Sequence, residues 1–302
     1  MSKLLHDEIA AKNRSINYEK EWYVATLSEL KSIIIPNMRI LDVCSGNCEF
    51  SEILREQFAA QVVCLDYSAS NLQRARNLGF ETIACNLDDA EQVSEVSLQY
   101  KNSFDIVVML EAIEHIFAVD NVLSMIFTAL KPEGRLFCST PNVANIASRL
   151  YTNFCGNIPV AMGHHIMFFD ERRLWQQLYL NGFDNPEITY FGTTGYYLDR
   201  TLVYNQHSPW RLRLIKALWW AGMKWGKKSL TKAGLLAICQ KSSDSLPLGL
   251  APYFREETFS NMTENEQINS LSRIISIDYT REFAEHPGLC AFIDTQRSRL
   301  HI

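Results

Sequence analysis

No run of about 18 uncharged apolar residues occurs in this 302-residue chain, so nothing in it reads as a membrane-spanning helix. The opening residues, Met1 through Glu8, lead into no apolar segment of the kind that directs secretion. Metal-binding cysteine is also missing as a pattern. Cys44 and Cys48 form a C-x-x-x-C pair, but Cys64, Cys85, Cys138, Cys155, Cys239 and Cys290 supply no second pair at ligand spacing, which argues against a zinc or iron–sulfur centre. Most cysteines sit in apolar, strand-like runs and read as reduced core residues. The expected location is the cytoplasm. There are no internal repeats and no low-complexity tracts. Acid is absent from one segment: Thr201 to Ser243 holds eight Lys or Arg and no Asp or Glu. The other 21 basic and all 34 acidic residues lie elsewhere, a balance of −13.

What is present is enough apolar residue, 47% of the chain, to bury a substantial core. Apolar runs of strand length alternate with helix-forming stretches, which points to an α/β fold with a parallel sheet. The expected strands are 39–43, 61–66, 81–85, 104–110 and 134–140, with a sixth at 186–191 and a seventh at 234–241. Helices are expected at 18–33, 48–57, 70–77, 90–97, 119–130 and 170–180. Lys131-Pro-Glu-Gly134 reads as a stop and turn ahead of the fifth strand. The basic segment, about 203–232, then looks like a helical insertion before the last strand, completing a domain over 1–241. Residues 242–302 form a C-terminal tail of undisclosed role.

The most informative stretch is 39–66. An apolar run ends in Asp42, and the turn Cys44-Ser-Gly-Asn-Cys48 around Gly46 leads into a helix. A second strand ends in Asp66, with Tyr67 following. Such a turn lets backbone N–H groups approach a ligand at a helix N-terminus. An acid about 20 residues on suits the vicinal hydroxyls of an adenosine ribose. Gly46 is the one glycine where turns of this kind usually carry several.

These features recur in fixed order with Asn86-Leu87-Asp88, Phe104-Asp-Ile-Val-Val108, Glu111-Ala-Ile-Glu-His115 and Leu130-Lys-Pro-Glu-Gly-Arg135. The series closely resembles the class I S-adenosylmethionine-dependent methyltransferases over about 38–192 and 234–241. The resemblance implies a doubly wound, Rossmann-like, mostly parallel seven-stranded sheet whose last strand is antiparallel. It implies that Asp42, Cys44, Ser45 and Gly46 hold the methionyl end of S-adenosyl-L-methionine, that Asp66 with Tyr67 meets the ribose, and that Asn86 and Leu87 flank the adenine. Leu110 and Glu111 would lie by the sulfonium.

The Glu111-x-x-Glu114-His115 pattern resembles ubiquinone-pathway and glycan-associated O-methyltransferases, and also small-RNA 3′-terminal 2′-O-methyltransferases. The latter share Thr140-Pro-Asn142 and a histidine before an aromatic run, here Gly163-His-His165-Ile-Met-Phe-Phe169. That likeness implies one divalent cation, Mg or Mn, held by Glu111, Glu114, His115 and His165. The plainer alternative makes His115 a metal-free general base or an oriented core histidine. The expected reaction is O-methylation of a small-molecule or glycan hydroxyl, with His115 as catalytic residue. RNA 3′-end methylation and a non-catalytic binding or assembly subunit are the alternatives.

On a helical projection, Leu212, Leu214, Ile215, Leu218, Trp219, Ala221 and Trp225 share one face, and Arg213, Lys216, Lys224, Lys227 and Lys228 gather opposite. Residues 210–228 therefore admit a lid or homodimer element, or a peripheral membrane contact. Nucleic acid is disfavoured by the acidic remainder of the chain.

Overall fold

The computed structural model describes residues 20–156, 165–243, 259–276 and 287–300. Seven strands form one sheet in the order β3-β2-β1-β4-β5-β7-β6. They are β1 (Arg39–Val43), β2 (Gln61–Asp66), β3 (Glu81–Ala84), β4 (Phe104–Leu110), β5 (Leu130–Pro141), β6 (Phe183–Phe191) and β7 (Gly234–Lys241). All neighbouring pairs are parallel except those made by β7, which runs antiparallel to both β5 and β6.

Alternation along the strands divides the core between the two faces of the sheet. Ile40, Val62, Cys64, Ile106 and Val108 face α1 (Glu21–Leu30), α2 (Glu49–Phe58) and α3 (Ala69–Asn77), where Leu30, Ile53, Leu54 and Ala75 meet them. Leu41, Val43, Val63, Leu65, Val107 and Met109 face the opposite way. They pack on Val93 and Val96 of α4 (Ala90–Gln99), Leu123 and Ile126 of α5 (Val119–Ala129), and Leu174 and Leu178 of α7 (Glu171–Leu180). Burial on both faces explains why these strands read as continuous apolar runs.

Three expected boundaries change. The sixth strand starts at Phe183, not Pro186, because Phe183 and Asp184 pair with Lys241 and Gln240 before the register shifts to Glu187. The fifth strand starts at Leu130, not Gly134, because Leu130 pairs with Phe104 before the register slips to Ile106 with Arg135. Lys131-Pro-Glu-Gly134 is looped out inside the strand, with Glu133 at φ 62°. A Cβ on Gly134 would stand 2.9 Å from the Lys131 carbonyl oxygen, so the loop closes only around glycine. The first helix is shorter than expected, ending at Leu30; residues 18 and 19 lie outside the described residues.

Between β5 and β6 comes α6 (Ile146–Cys155), followed by α7. Between β6 and β7 the chain forms α8 (Gly195–Tyr204), α9 (Pro209–Trp225) and the single turn α10 (Lys228–Thr231). Only part of the projected apolar face of α9 turns inward. Ile215 and Trp219 pack on Ala147, Leu150 and Leu198, and Gly222 lies so close to Ile146 that a Cβ there would fall 2.8 Å from its Cγ1. Leu214, Leu218 and Trp225 are exposed. Lys227 and Lys228 fall beyond the end of α9.

Within the tail, α11 (Glu264–Ser276) and α12 (Pro287–Leu300) join a small core of Leu180, Phe259, Met262, Leu271, Ile274 and Leu300. Arg273 donates to the carbonyls of Tyr179 and Phe183 and pairs with Asp184. Residues 244–258, 277–286, 301 and 302 of the tail lie outside the described ones. No helix among the described residues is long and apolar enough to cross a membrane.

Candidate active site

The strand order reverses between β1 and β4, and in open α/β sheets that switch point leaves a crevice beyond the carboxyl ends of the strands. Two segments meet there: the turn after Val43 and the segment after Leu110. Cys44, Gly46 and Cys48 all adopt left-handed backbone, at φ 59°, 53° and 60°. Two cysteines therefore hold the conformation that glycine favours, at a cost of about 1–2 kcal/mol each. Cys44 is exposed, whereas Cys48 is buried in the core. The turn is pinned from outside by Ser45 N donating to Leu65 O at 3.1 Å and Arg74 Nε donating to Asn47 O at 2.7 Å.

Asp66 clasps the same turn. Its Oδ2 accepts from Gly46 N at 2.9 Å and from Asn71 Nδ2 at 3.1 Å, and its Oδ1 accepts from Ser68 N at 2.8 Å. Asp42 accepts from Ser51 Oγ at 2.5 Å. Burial pushes its carboxyl up to about 7, with the Ser51 hydrogen bond opposing the shift and the charge of Asp66 adding to it. The Ser45 hydroxyl in the turn and the Asn71 Oδ1 in α3 are buried without a hydrogen-bond partner, polar atoms that a bound group can satisfy.

Leu87 is buried beside Asn86 in the loop after β3. Asp88 ties that loop across the crevice by accepting from Phe117 N at 2.8 Å and Ala118 N at 3.3 Å. Tyr67 is half-buried behind Asp66.

On the other side, Glu111 is left-handed at φ 52°. Its N–H donates to the Ser139 carbonyl and hydroxyl oxygens, both at 3.1 Å, while Ser139 Oγ donates to Glu111 Oε1 at 2.9 Å. Desolvation raises the Glu111 carboxyl to about 7. Glu114, 2% exposed, accepts from Thr140 Oγ1 at 3.0 Å. Burial first, and the charge of Glu111 second, hold its carboxyl well above the usual carboxylate range.

Glu114 Oε1 stands 3.9 Å from Nε2 of both His115 and His165. The two rings meet edge to face with centroids 4.7 Å apart. The 165–167 segment is brought in by the amides of Ile166 and Met167, which donate to the Glu114 carbonyl at 2.9 and 3.0 Å. Ligand atoms of Glu114, His115 and His165 all lie within 4.8 Å of one another. Glu111, expected as a fourth ligand, instead bonds Ser139 and is not part of that cluster. Gly163 and His164 lie outside the described residues.

Ser51, Asn71 and Ser139 were not anticipated from sequence. Ser51 and Asn71 reach back from the helices that follow β1 and β2, and Ser139 reaches across from β5.

A profile for the methyltransferase domain matches residues 16–188, more than half of the chain. The chain belongs to the S-adenosylmethionine-dependent methyltransferases. Curated relatives of this methyltransferase include a Chelativorans protein named ubiquinone biosynthesis O-methyltransferase, 31% identical over 106 residues, covering 35% of this chain and 41% of that protein. A Xanthomonas euvesicatoria protein of the same name is 30% identical over 120 residues, covering 40% and 48%. The methyltransferase thus spans less than half the length of these two relatives. Among solved structures, a SAM-dependent methyltransferase from Archaeoglobus fulgidus superposes with a TM-score of 0.51 at 15% identity, covering 72% of this chain and 92% of that one. Phosphoethanolamine N-methyltransferase 2 of Haemonchus contortus gives a TM-score of 0.51 at 19% identity, covering 80% and 58%. These two likenesses establish the shared fold.

Proposed function

We propose that the protein transfers a methyl group from S-adenosyl-L-methionine to a hydroxyl of a small molecule or glycan intermediate, with His115 as the residue that takes the hydroxyl proton. The observation that carries this reading is the cluster formed by Glu114 and His115, which follow Glu111 at the end of β4, with His165 from the segment ahead of α7. The names of the partly matching relatives support oxygen as the acceptor atom.

The donor set fits the cofactor. Asp42 and the 44–46 backbone, with the unpartnered Ser45 hydroxyl, suit the ammonium and carboxylate of its methionyl end. Asp66, with Tyr67 beside it, suits the ribose diol, exchanging one of its protein donors for a hydroxyl. Asn86 and Leu87 would flank the adenine, and Leu110 and Glu111 would border the sulfonium. Bound there, the cofactor supplies an already activated methyl group, so the protein's own task is alignment and exclusion of water. His115 accepts the proton as the acceptor oxygen gains its methyl, and Glu114 keeps the two imidazoles oriented.

A second reading places a divalent cation, Mg²⁺ or Mn²⁺, on Glu114, His115 and His165, and takes an RNA 3′-terminal 2′-hydroxyl as acceptor. Two histidines and one carboxylate form a recognised metal-binding set. The raised Glu114 carboxyl is the kind of buried acid that a nearby cation would ionise. Such an ion would lower the pKa of the acceptor hydroxyl.

The test is a panel of hydroxylated acceptors and short RNAs, assayed by mass spectrometry with and without EDTA. Methylated small acceptors formed in EDTA, and lost in His115→Ala with cofactor binding intact, support the first reading. RNA methylation abolished by EDTA supports the second and overturns the first.

A further inference from the structure

Helix α9 buries one face against α6 and leaves a second apolar face bare. Trp210, Leu214, Leu218, Ala221 and Trp225 recur at intervals of four, four, three and four residues. On a projection of about 100° per residue they fall within a stripe about 80° wide. Trp210 is 63% exposed and Trp225 70%, and Leu214 and Leu218 are exposed between them. None of these belongs to the inward set of Ile215, Trp219 and Gly222. Arg213 and Lys224 border the stripe on one side and Arg211 on the other. Each end pairs a cation with indole: Arg211 lies 5.4 Å from the Trp210 ring centre, and Lys224 lies 4.7 Å from Trp220 and 5.3 Å from Trp225.

We propose that this face of α9 docks the protein on an anionic lipid surface, with the helix lying in the plane of the interface. The inference goes beyond the proposed reaction and does not depend on it. Charge complementarity selects the occupant. The segment 201–243 carries eight cations and no acid, with Arg211, Arg213 and Lys224 flanking the stripe itself, whereas the rest of the chain stands at −13. An anionic surface therefore attracts this face and repels the remainder, which sets orientation as well as affinity.

The helix is also the right kind of object: about 25 Å long, too charged to span, with tryptophan and basic side chains at the level where headgroups meet acyl chains. A second copy of the chain is a poorer occupant, because two-fold pairing on this face sets like cations together with no acid between them. Nucleic acid would need phosphates along the outward face, which here is a row of apolar side chains.

The experiment uses the full chain with vesicles of phosphatidylcholine alone or with added phosphatidylglycerol, read by co-sedimentation and by quenching of tryptophan fluorescence with brominated lipid. Expected are binding to the phosphatidylglycerol vesicles only, weakening as salt is raised, and quenching of the wild-type protein. Leu214→Glu with Leu218→Glu should lower partitioning at least about tenfold, and Arg213→Glu with Lys224→Glu should do the same. All four side chains are exposed, so circular dichroism should be unchanged. The proposal is overturned by equal behaviour toward both vesicle types, by partitioning that ignores the variants, or by a dimer in light scattering that Leu214→Glu with Leu218→Glu dissociates. Tighter retention on single-stranded oligonucleotide than on phosphatidylglycerol vesicles, lost in Arg213→Glu with Lys224→Glu, also overturns it.

Discussion

Asp66 accepts the amide hydrogen of Gly46 at 2.9 Å, so the acid at the end of the second strand shapes the turn at the end of the first. Replacing it removes a structural clasp and, on the proposed function, the acceptor for the ribose hydroxyls. Asp66→Ala should weaken S-adenosylmethionine binding by about tenfold to a hundredfold, as expected for losing hydrogen bonds to a charged group. Asn71→Leu, which releases only one of the carboxylate's partners, should have the smaller effect. Calorimetric titration of both variants measures the order, and equal losses would show that Asp66 acts on the turn alone.

Cys44 is exposed and left-handed, so glycine should suit its position better. Relief of about 1–2 kcal/mol of backbone strain is offset in part by the larger unfolded-state entropy of glycine, about 0.4–1 kcal/mol. Cys44→Gly should raise Tm by about 2 °C, read by thermal denaturation. Cys48→Gly should lower it, because that thiol side chain is part of the core around Phe50 and Ile53.

Protons should leave when the cofactor binds. Asp42 and Glu111 titrate near 7 in the folded protein, and a ligand bearing an ammonium and a sulfonium favours their charged forms. Isothermal titrations at pH 6.5 in buffers of different ionisation enthalpy should show proton release with S-adenosylmethionine. S-adenosylhomocysteine, which lacks the sulfonium charge, should release less.

The same carboxyls make stability pH-dependent. For Asp42 the folded pKa of about 7 lies above the ordinary value of 3.8. The folded state therefore holds more protons than the unfolded chain between those values. Its contribution is complete below about pH 4 and is lost as pH rises through 7. Asp42→Asn should flatten the fall in Tm across that window relative to wild type.

Arg273 anchors the tail by donating to the carbonyls of Tyr179 and Phe183 at 3.1 and 2.9 Å. Arg273→Ala leaves those acceptors without it inside a small core and should cost about 2–3 kcal/mol. Chemical denaturation would show this as a lower midpoint.

Much of the layout was legible in the sequence because buried parallel strands write themselves as apolar runs. β1, β2, β4 and β7 begin and end where those runs do. β5 was misplaced because Lys131-Pro-Glu-Gly134 has the local chemistry of a turn, and only the pairing of Leu130 with Phe104 shows that the strand has already begun. The outward face of α9 was hidden for a similar reason. Periodicity gives an apolar side, but Gly222 against Ile146 decides which residues turn inward. In the site, Asp42, Asp66 and Glu111 were marked by strand ends, while Ser51 and Ser139, which govern two of their carboxyls, become visible only when distant segments meet.

Asn142 closes the account of the insertion. Its side-chain amide donates to the carbonyls of Ser229 and Lys232 at 2.7 and 2.9 Å, and its backbone N–H donates to Ala233 O at 2.7 Å. The segment after α9 is thereby bolted to the loop that leaves β5, next to Thr140 and the Glu114 carboxylate. With its C-terminal neighbour tied this way and Gly222 pressed on Ile146, α9 is anchored to the body of the domain at two places. Acceptor entry and product departure need not wait for α9 to swing, and the rate of turnover should be insensitive to a cross-link that joins α9 to α6.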